Sequence, residues 1–241
     1  MTPRSRPPRG LFITLEGTAG CGKSTQAQLL GEHLRNQGYD TVETREPGGT
    51  PLAEKIRSLL LDRADEPVAP ETEAFLVLAA RRQHVAQVIE PALARGSIVL
   101  CDRFIDSTLA YQGYARGLDI ATLERLNRLA AHALMPDLTL VFDLPVSTGL
   151  ARRRSAAELN RLDRESLRFH RSVRTGFLDL AKRHPTRIKV LSARASKETV
   201  AHAVARVVTP MLGHIRRGVD HNRPAASRPS PQKSQARHAI R

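Results

Sequence analysis

The residue pattern with the clearest chemical meaning is Gly17-x-x-x-x-Gly22-Lys23-Ser24, which follows the apolar run 11–15. Glycines at these positions let backbone N–H groups close around phosphate oxygens, and the N-terminus of a following helix adds positive potential. In such a phosphate-binding loop (P-loop, residues 17–24), Lys23 reaches the β- and γ-phosphates and the Ser24 hydroxyl binds Mg²⁺. The sequence therefore predicts a nucleoside triphosphate site. Its expected contacts are Gly17, Thr18, Ala19, Gly20, Cys21, Gly22, Lys23, Ser24 and Thr25.

Three more polar clusters follow short apolar segments. They are Arg45-Glu46-Pro47-Gly48-Gly49, Asp102-Arg103 and Asp143. In open α/β sheets, ligands bind beyond the carboxyl ends of parallel strands. The four clusters are thus expected to meet at one edge of a sheet.

The elements that position these clusters alternate along the chain. Apolar segments at 11–15, 98–101, 138–142 and 188–191, together with a weaker segment at 41–44, predict five strands. Helical spacing predicts helices after the P-loop and at 52–61, 71–94, 119–133, 146–159, 163–183 and 196–212. Strands that are separated by helices imply parallel pairing with right-handed crossovers, which is an α/β fold.

Length and composition set outer limits. A chain of 241 residues suits one α/β domain. No apolar run approaches the roughly 20 residues that a membrane span needs, and residues 1–10 lack the apolar core of a secretion signal. Cys21 and Cys101 suggest reduced thiols, and hence a cytoplasmic protein.

The formal net charge of +14 is concentrated at the two ends of the chain. Residues 1–9 carry three arginines, and residues 213–241 carry seven Lys or Arg against Asp220. Both ends are interpreted as disordered basic tails that flank a domain at 10–212. The C-terminal tail is either a solvated appendage or a weak binder of polyanions such as nucleic acid.

Three segments resemble the thymidylate kinase family of P-loop nucleoside monophosphate kinases. They are Thr44-Arg45-Glu46-Pro47-Gly48-Gly49-Thr50, the stretch from Cys101-Asp102-Arg103 to Tyr111-Gln112-Gly113, and Pro136-Asp137-Leu138-Thr139. The resemblance covers about residues 11–212. It implies a three-layer α/β/α P-loop kinase with a five-stranded parallel sheet and a helical lid.

The resemblance also implies roles for individual residues. Arg103 would bridge the acceptor phosphate and the transferred group, since arginine binds phosphate in a bidentate way. Asp102 would orient Arg103 or a Mg²⁺-bound water. Arg45 would hold the acceptor phosphate, and Arg81 its base. A simple ion pair at the strand end is the alternative for Asp102-Arg103.

Four residues on the following helix border the nucleoside pocket in the family. Ser107 and Thr108 would lie near the thymine edge, although both residue types also cap helices. Tyr111 and Gln112 would border the sugar, or Tyr111 would pack only against protein.

Residues 151–164 resemble the lid that closes over ATP. In the family a catalytic arginine comes from the P-loop or from the lid, and this P-loop contains no arginine. The candidates, among which Arg153 and Arg154 are favoured, are Arg152, Arg153, Arg154 and Arg161. The alternative is a solvated basic helix face.

Three positions depart from the family pattern. Ala19 replaces an acid that accepts the sugar 3′-hydroxyl, Val77 replaces an aromatic residue that stacks on thymine, and Asn160 replaces a lid acid. Stacking on an aromatic ring is worth about 1–3 kcal/mol. We therefore expect dTMP to be phosphorylated to dTDP by ATP with a raised KM.

Two alternatives stay open on the sequence alone. One is a nucleoside monophosphate kinase of drifted base specificity, and the other is a non-catalytic nucleotide-binding protein whose tail contacts nucleic acid. A GTPase is disfavoured because no Asn-Lys-x-Asp segment is present. The resemblance also implies a homodimer.

Overall fold

The fold is a three-layer α/β/α arrangement around one parallel sheet. The computed structural model describes residues 9–62, 66–156 and 159–215. Within these ranges the strands follow the order β2-β3-β1-β4-β5, all parallel. The strands are β1 (Phe12–Glu16), β2 (Thr41–Arg45), β3 (Ile98–Asp102), β4 (Leu138–Asp143) and β5 (Ile188–Ser192). All five predicted strands are confirmed.

Helices cover both faces of the sheet because buried strand residues alternate between them. Ile13 and Leu15 join the core beneath one helical layer, whereas Phe12 packs with Val85 and Ile89 of the other. The helices are α1 (Lys23–Asn36), α2 (Pro51–Leu61), α3 (Pro70–His84), α4 (Glu90–Ala94), α5 (Ile105–Thr108), α6 (Ile120–Ala130), α7 (Val146–Ala156), α8 (Leu167–Arg183) and α9 (Lys197–Val208).

Two helices widen into π-helical stretches. The predicted helix 71–94 consists of α3, a π-helical stretch at Val85–Ile89 and α4. Pro91 lies just beyond that stretch and has no N–H for the regular ladder. A second stretch, Leu109–Ala115, continues α5 and carries Tyr111 and Gln112.

Several predicted helix ends were wrong, and local geometry explains each. Helix α6 ends at Ala130 because His132 and Ala133 adopt positive φ. Helix α8 begins only at Leu167, where the Ser166 hydroxyl accepts the Phe169 N–H. Helix α9 gives way at Val208 to a 3₁₀ turn that contains Pro210. The prediction 146–159 overran α7, since Leu159 is not helical.

The order of the strands positions the polar clusters. The central strand β1 leads into the P-loop, and its neighbour β3 brings Asp102 level with Leu15. Cys21 and Cys101 are free and buried. None of the helices in the described ranges has both the length and the apolar character that crossing a bilayer requires.

Candidate active site

The P-loop has the backbone shape that its glycines predict. Gly20 and Gly22 adopt φ of 71° and 95°, in the left-handed region that favours glycine. A Cβ on Gly20 would lie 1.9 Å from the carbonyl oxygen of Gly149 on α7. The loop is therefore packed closely against the first turn of α7.

Lys23 opens α1 and is turned inward onto the loop. Its buried ammonium donates to the carbonyl oxygens of Gly17 (3.2 Å) and Thr18 (3.0 Å). The positive charge thus lies at the loop with carbonyl partners that a phosphate oxygen can replace.

Ser24 and Asp102 form the pair expected at a metal site. The Ser24 hydroxyl donates to Asp102 Oδ2 at 2.7 Å. Asp102 Oδ1 is buried, and within the described part of the chain it has no hydrogen-bond partner. Hydroxyl and carboxylate oxygens are ligands that Mg²⁺ prefers. Of the two roles predicted for Asp102, a hydrogen bond that orients Arg103 is not formed, since Arg103 donates to Gly17 and Ser107. The other role, orienting a Mg²⁺-bound water, stays a prediction.

Arg103 joins the P-loop to the helix that follows β3. Its Nη1 donates to Gly17 O and to Ser107 Oγ, both at 3.1 Å, and its guanidinium lies 5.0 Å from the Tyr111 ring centroid. Its φ of 77° is a left-handed conformation that costs a non-glycine residue about 1–3 kcal/mol. Strain of this size persists only where surrounding contacts fix the residue.

Glu16 shares the Ser107 hydroxyl with Arg103 and was not singled out from the sequence. Its carboxylate accepts the Phe104 N–H (2.8 Å) and the Ser107 hydroxyl (2.6 Å). Burial raises the pKa of Glu16 to about 7, with a further increase from Asp106. The available signal was an acid at the end of an otherwise apolar strand.

A set of paired polar residues forms the far wall of the cavity, which we define as Glu46, Arg81, Ser107, Thr108 and Gln112. Arg81 is 1% exposed and donates to Glu46 Oε2 (2.7 Å), Thr108 Oγ1 (2.9 Å) and Asn127. Glu46 also contacts His84 at 3.1 Å. Ser107 and Thr108 therefore serve side-chain networks, and the helix-capping alternative is wrong.

Position 77, where the family pattern has an aromatic residue, lies on the cavity wall. Val77 lines the cavity, whereas Phe75 is 60% exposed. Gln112 also lines the cavity and is fixed by Glu73 at 2.8 Å. Tyr111 lines it while packing edge-on against Phe169. Tyr111 thus packs against protein but not only against protein, and its contact with the sugar stays a prediction.

A further arginine, Arg57 on α2, lines the cavity and was missed. Its Nη1 donates to Pro47 O at 2.9 Å, and its pKa is lowered by burial and by the nearby charge of Arg45. The missed signal was its position on the buried stripe with Ala53 and Leu60. Arg45 itself is exposed and pairs with Glu54 at 3.1 Å, outside the described cavity lining.

The lid arginines differ in their surroundings. Arg152 and Arg153 line the cavity, and Arg153 pairs with Asp163 at 2.9 Å. Arg154 is exposed. Arg161 instead anchors the lid, donating to Leu60 O (3.0 Å) and to Glu73 (2.7 Å).

Asn160, at the position where the family pattern has an acid, bonds within the lid. Its side-chain oxygen accepts the Asp163 N–H at 3.0 Å, and its own N–H donates to the Asp163 carboxylate. Asp143, expected at the same sheet edge, pairs with Arg174 and lies away from the main cavity.

The opposite end of the cavity lies between α1 and the loop that precedes α9. Ala193, Ser196, Lys197 and Val200 line it, and buried Gln26 donates to Lys197 O at 2.9 Å. The whole cavity has a volume of about 840 Å³ and extends from this loop past the P-loop to the far wall.

A parallel sheet whose central strand leads into a glycine loop, with arginines lining the cavity beside that loop, defines a P-loop nucleotide kinase. The thymidylate kinase family model matches residues 15–204. The chain belongs to the thymidylate kinase family.

Individual relatives agree with this assignment. The chain is 52% identical to a thymidylate kinase of Pseudomonas putida (strain W619) over 86% of its length and all of the relative's. It is 54% identical to one of Thermomicrobium roseum, over 86% of this chain and 98% of the relative. The crystal structure of thymidylate kinase from Ehrlichia chaffeensis superposes with a TM-score of 0.69 at 36% identity, covering 84% of this chain and 99% of that one.

Proposed function

We propose that this chain transfers the γ-phosphoryl group of ATP to dTMP, giving dTDP and ADP. The observation that carries the proposal is Arg103, which bonds to both the P-loop at Gly17 and the far wall at Ser107. A cation at that junction lies where two polyanions must meet. Preorganised charges of this kind are the main source of catalysis in phosphoryl transfer.

The donor triphosphate binds on the P-loop. Backbone N–H groups and Lys23 hold its phosphates, with the Lys23 ammonium leaving its carbonyl partners for phosphate oxygens. The donor base occupies the end lined by Gln26, Ser196 and Lys197.

Ser24 and Asp102 are the residues that would hold Mg²⁺. The unpartnered Asp102 Oδ1 supports this, as does the preference of Mg²⁺ for one or two protein oxygens beside substrate phosphates. No group of three or more His, Cys, Asp or Glu side chains in the described ranges forms a metal site of its own. The ion supplies charge neutralisation of the phosphates when bound.

The acceptor phosphate lies among Arg57, Arg103 and Arg45. Arg57 and Arg103 line the cavity, and Arg45 reaches it by leaving Glu54. An oxygen of this phosphate attacks the γ-phosphorus, and the bond to the leaving ADP oxygen breaks. Among the lid arginines we assign the catalytic cation to Arg153, because it lines the cavity and is half-buried, whereas Arg152 and Arg154 are exposed.

The acceptor base is bound at the far wall by Arg81, Thr108 and Gln112. Glu46 and Asn127 fix the Arg81 guanidinium, so its direction is set before substrate arrives. Val77 offers apolar contact without a π face, and Ala19 offers no carboxylate. These two residues support a raised KM for dTMP or a drifted base preference.

A coupled assay of ADP release across dTMP, dUMP, dCMP, dGMP and AMP tests the proposal. We expect dTMP to give the highest kcat/KM. Equal rates on several bases would instead support the drifted specificity, and no turnover with any acceptor would overturn the kinase assignment.

The role of the basic tail is tested by deletion. Leu212 and Ile215 are buried in the core, so the deletion should begin at residue 216. Residues 1–8 and 216–241 lie outside the described residues. The variant that lacks residues 216–241 should turn over at the rate of the full-length chain. If the chain were instead a non-catalytic nucleic-acid-binding protein, neither the variant nor the full-length chain would show turnover.

A homodimer and a cytoplasmic location complete the proposal. Three neighbouring helices, α2, α3 and α6, expose Leu59, Phe75 and Leu129, of which Leu129 is 75% exposed. Large exposed apolar side chains often mark interfaces. Light scattering should give a dimer, and Phe75→Glu should give a monomer. The two free cysteines are consistent with a reducing compartment.

A further inference from the structure

A buried histidine behind the lid, His170, stands out in the described part of the chain because neither of its ring nitrogens has a hydrogen-bond partner there. His170 on α8 is 1% exposed and lies in the cavity wall beside Leu162 and Asp163. Within the described residues, neither Nδ1 nor Nε2 makes a hydrogen bond. A neutral imidazole has one donor and one acceptor, and leaving both buried and unpaired costs free energy. Such an exception calls for a functional explanation.

The surroundings of His170 point to the lid. The Asp163 backbone comes close to the ring without completing a hydrogen bond of normal geometry. Burial lowers the pKa of His170, while Asp163 and Glu165 act in the opposite direction. The imidazole therefore lies close enough to Asp163 and Glu165 for their charges to act on it.

The Asp163 carboxylate has a cation that it must give up. It pairs with Arg153 at 2.9 Å, and its side chain is only 8% exposed. If Arg153 moves to the transferred phosphoryl group, a nearly buried carboxylate loses its cation. Loss of one partner from a buried pair is strongly unfavourable unless another group replaces it.

We propose that His170 is a positioning residue that takes over the Asp163 carboxylate when Arg153 turns to the phosphates. The His170 N–H becomes the replacement donor, so the lid exchanges one pair for another. The inference rests on the proposed role of Arg153. The exchange gives the ring nitrogens of His170, which have no hydrogen-bond partner within the described residues, a partner in the Asp163 carboxylate.

A double-mutant cycle on turnover tests this exchange. His170→Phe should lower kcat about tenfold, the scale of one hydrogen bond, and leave the KM for dTMP within twofold. His170→Gln keeps a neutral donor and should retain at least half of kcat. In an Asp163→Ala background, His170→Phe should change kcat less than twofold, because the carboxylate is gone.

The contrary outcomes are distinct. An equal loss of kcat from His170→Phe in both backgrounds would overturn the exchange, as would a raised KM with unchanged kcat, which would place the imidazole on the substrate. The variant Arg153→Met distinguishes failure of the proposed exchange from failure of the catalytic role assigned to Arg153. Full turnover in Arg153→Met would overturn the assignment of Arg153 itself, whereas an inactive Arg153→Met with an additive cycle would overturn only the exchange.

Discussion

The far wall and the lid contrast in how completely their polar groups are paired. On the far wall, Arg81 is buried against Glu46, Thr108 and Asn127, and Glu46 also meets His84. Behind the lid, His170 lacks partners within the described residues, and the Arg153–Asp163 pair lies at the cavity edge. A fully paired network holds one geometry, whereas an incompletely paired one leaves room for a second. The far wall is thus built for recognition, and the lid for movement.

The P-loop serves both regions, so its loss should have the largest effect. Lys23→Ala removes the buried ammonium that is placed for the donor phosphates, and kcat should fall by about 10³-fold, at the upper end for a single preorganised donor. Steady-state ADP release measures this. Lys55→Ala, which removes an exposed lysine on α2, is the matched control and should leave kcat unchanged. Comparable activity in the two variants would contradict the assigned role of Lys23.

Removal of Glu46 tests whether the far wall is as rigid as its pairing indicates. Glu46→Ala leaves the Arg81 cation buried without its carboxylate, which should lower the free energy of unfolding by about 3–5 kcal/mol. Glu54→Ala, which removes an exposed partner of Arg45, should cost less than about 1 kcal/mol. Urea denaturation of both variants gives the comparison. A small loss for Glu46→Ala would show that the wall is not stabilised by this pair.

Glu16, which accepts the Ser107 hydroxyl of the far wall, makes the stability of the folded protein depend on pH. Its folded pKa of about 7 lies above the ordinary value of 4.5, so the folded state binds this proton more tightly than the unfolded state. The resulting stability is fully present below pH 4.5 and is lost as the pH rises through 7. The difference amounts to about 3 kcal/mol. Glu16→Gln replaces the carboxyl group with an amide of similar shape that does not titrate, so the variant should lack this pH dependence.

Urea denaturation at several pH values measures the effect as the difference between the wild-type protein and Glu16→Gln. Taking the difference cancels the other groups that titrate over the same range. Parallel curves between pH 4.5 and 8 would contradict the raised pKa of Glu16.

The sequence was most informative where one local pattern determines the outcome. The apolar segments of β1, β3 and β4 were clear because a parallel sheet buries both faces of its central strands, whereas the edge strands β2 and β5 are partly exposed. The P-loop was predictable because its glycines adopt positive φ without the steric cost that other residues would have. Helix ends were less predictable, since Ser166 and the left-handed turn at His132 decide them through single contacts.

Residues that act through distant partners could not be found in this way. Arg57 reaches the cavity only because α2 lies beside the Pro47 turn, and His170 matters only because the lid folds over α8. Arg153 was distinguished from Arg154 by exposure, which depends on how α7 lies against the cavity. Motifs identify the chemistry, but tertiary packing selects among equivalent side chains.

Val77 offers the finest test of the far wall, because the pairing there is complete while the contact with the base is not. Val77→Phe places an aromatic face on the cavity wall and should lower the KM for dTMP about tenfold, at the low end of base stacking energies. Val77→Leu adds apolar volume without a π face and should change KM less than threefold. Steady-state titration of dTMP at saturating ATP separates the two. Since Arg81 and Gln112 are fixed independently of Val77, kcat should stay constant in both variants; a fall in kcat would mean that position 77 disturbs the rigid network rather than the base contact.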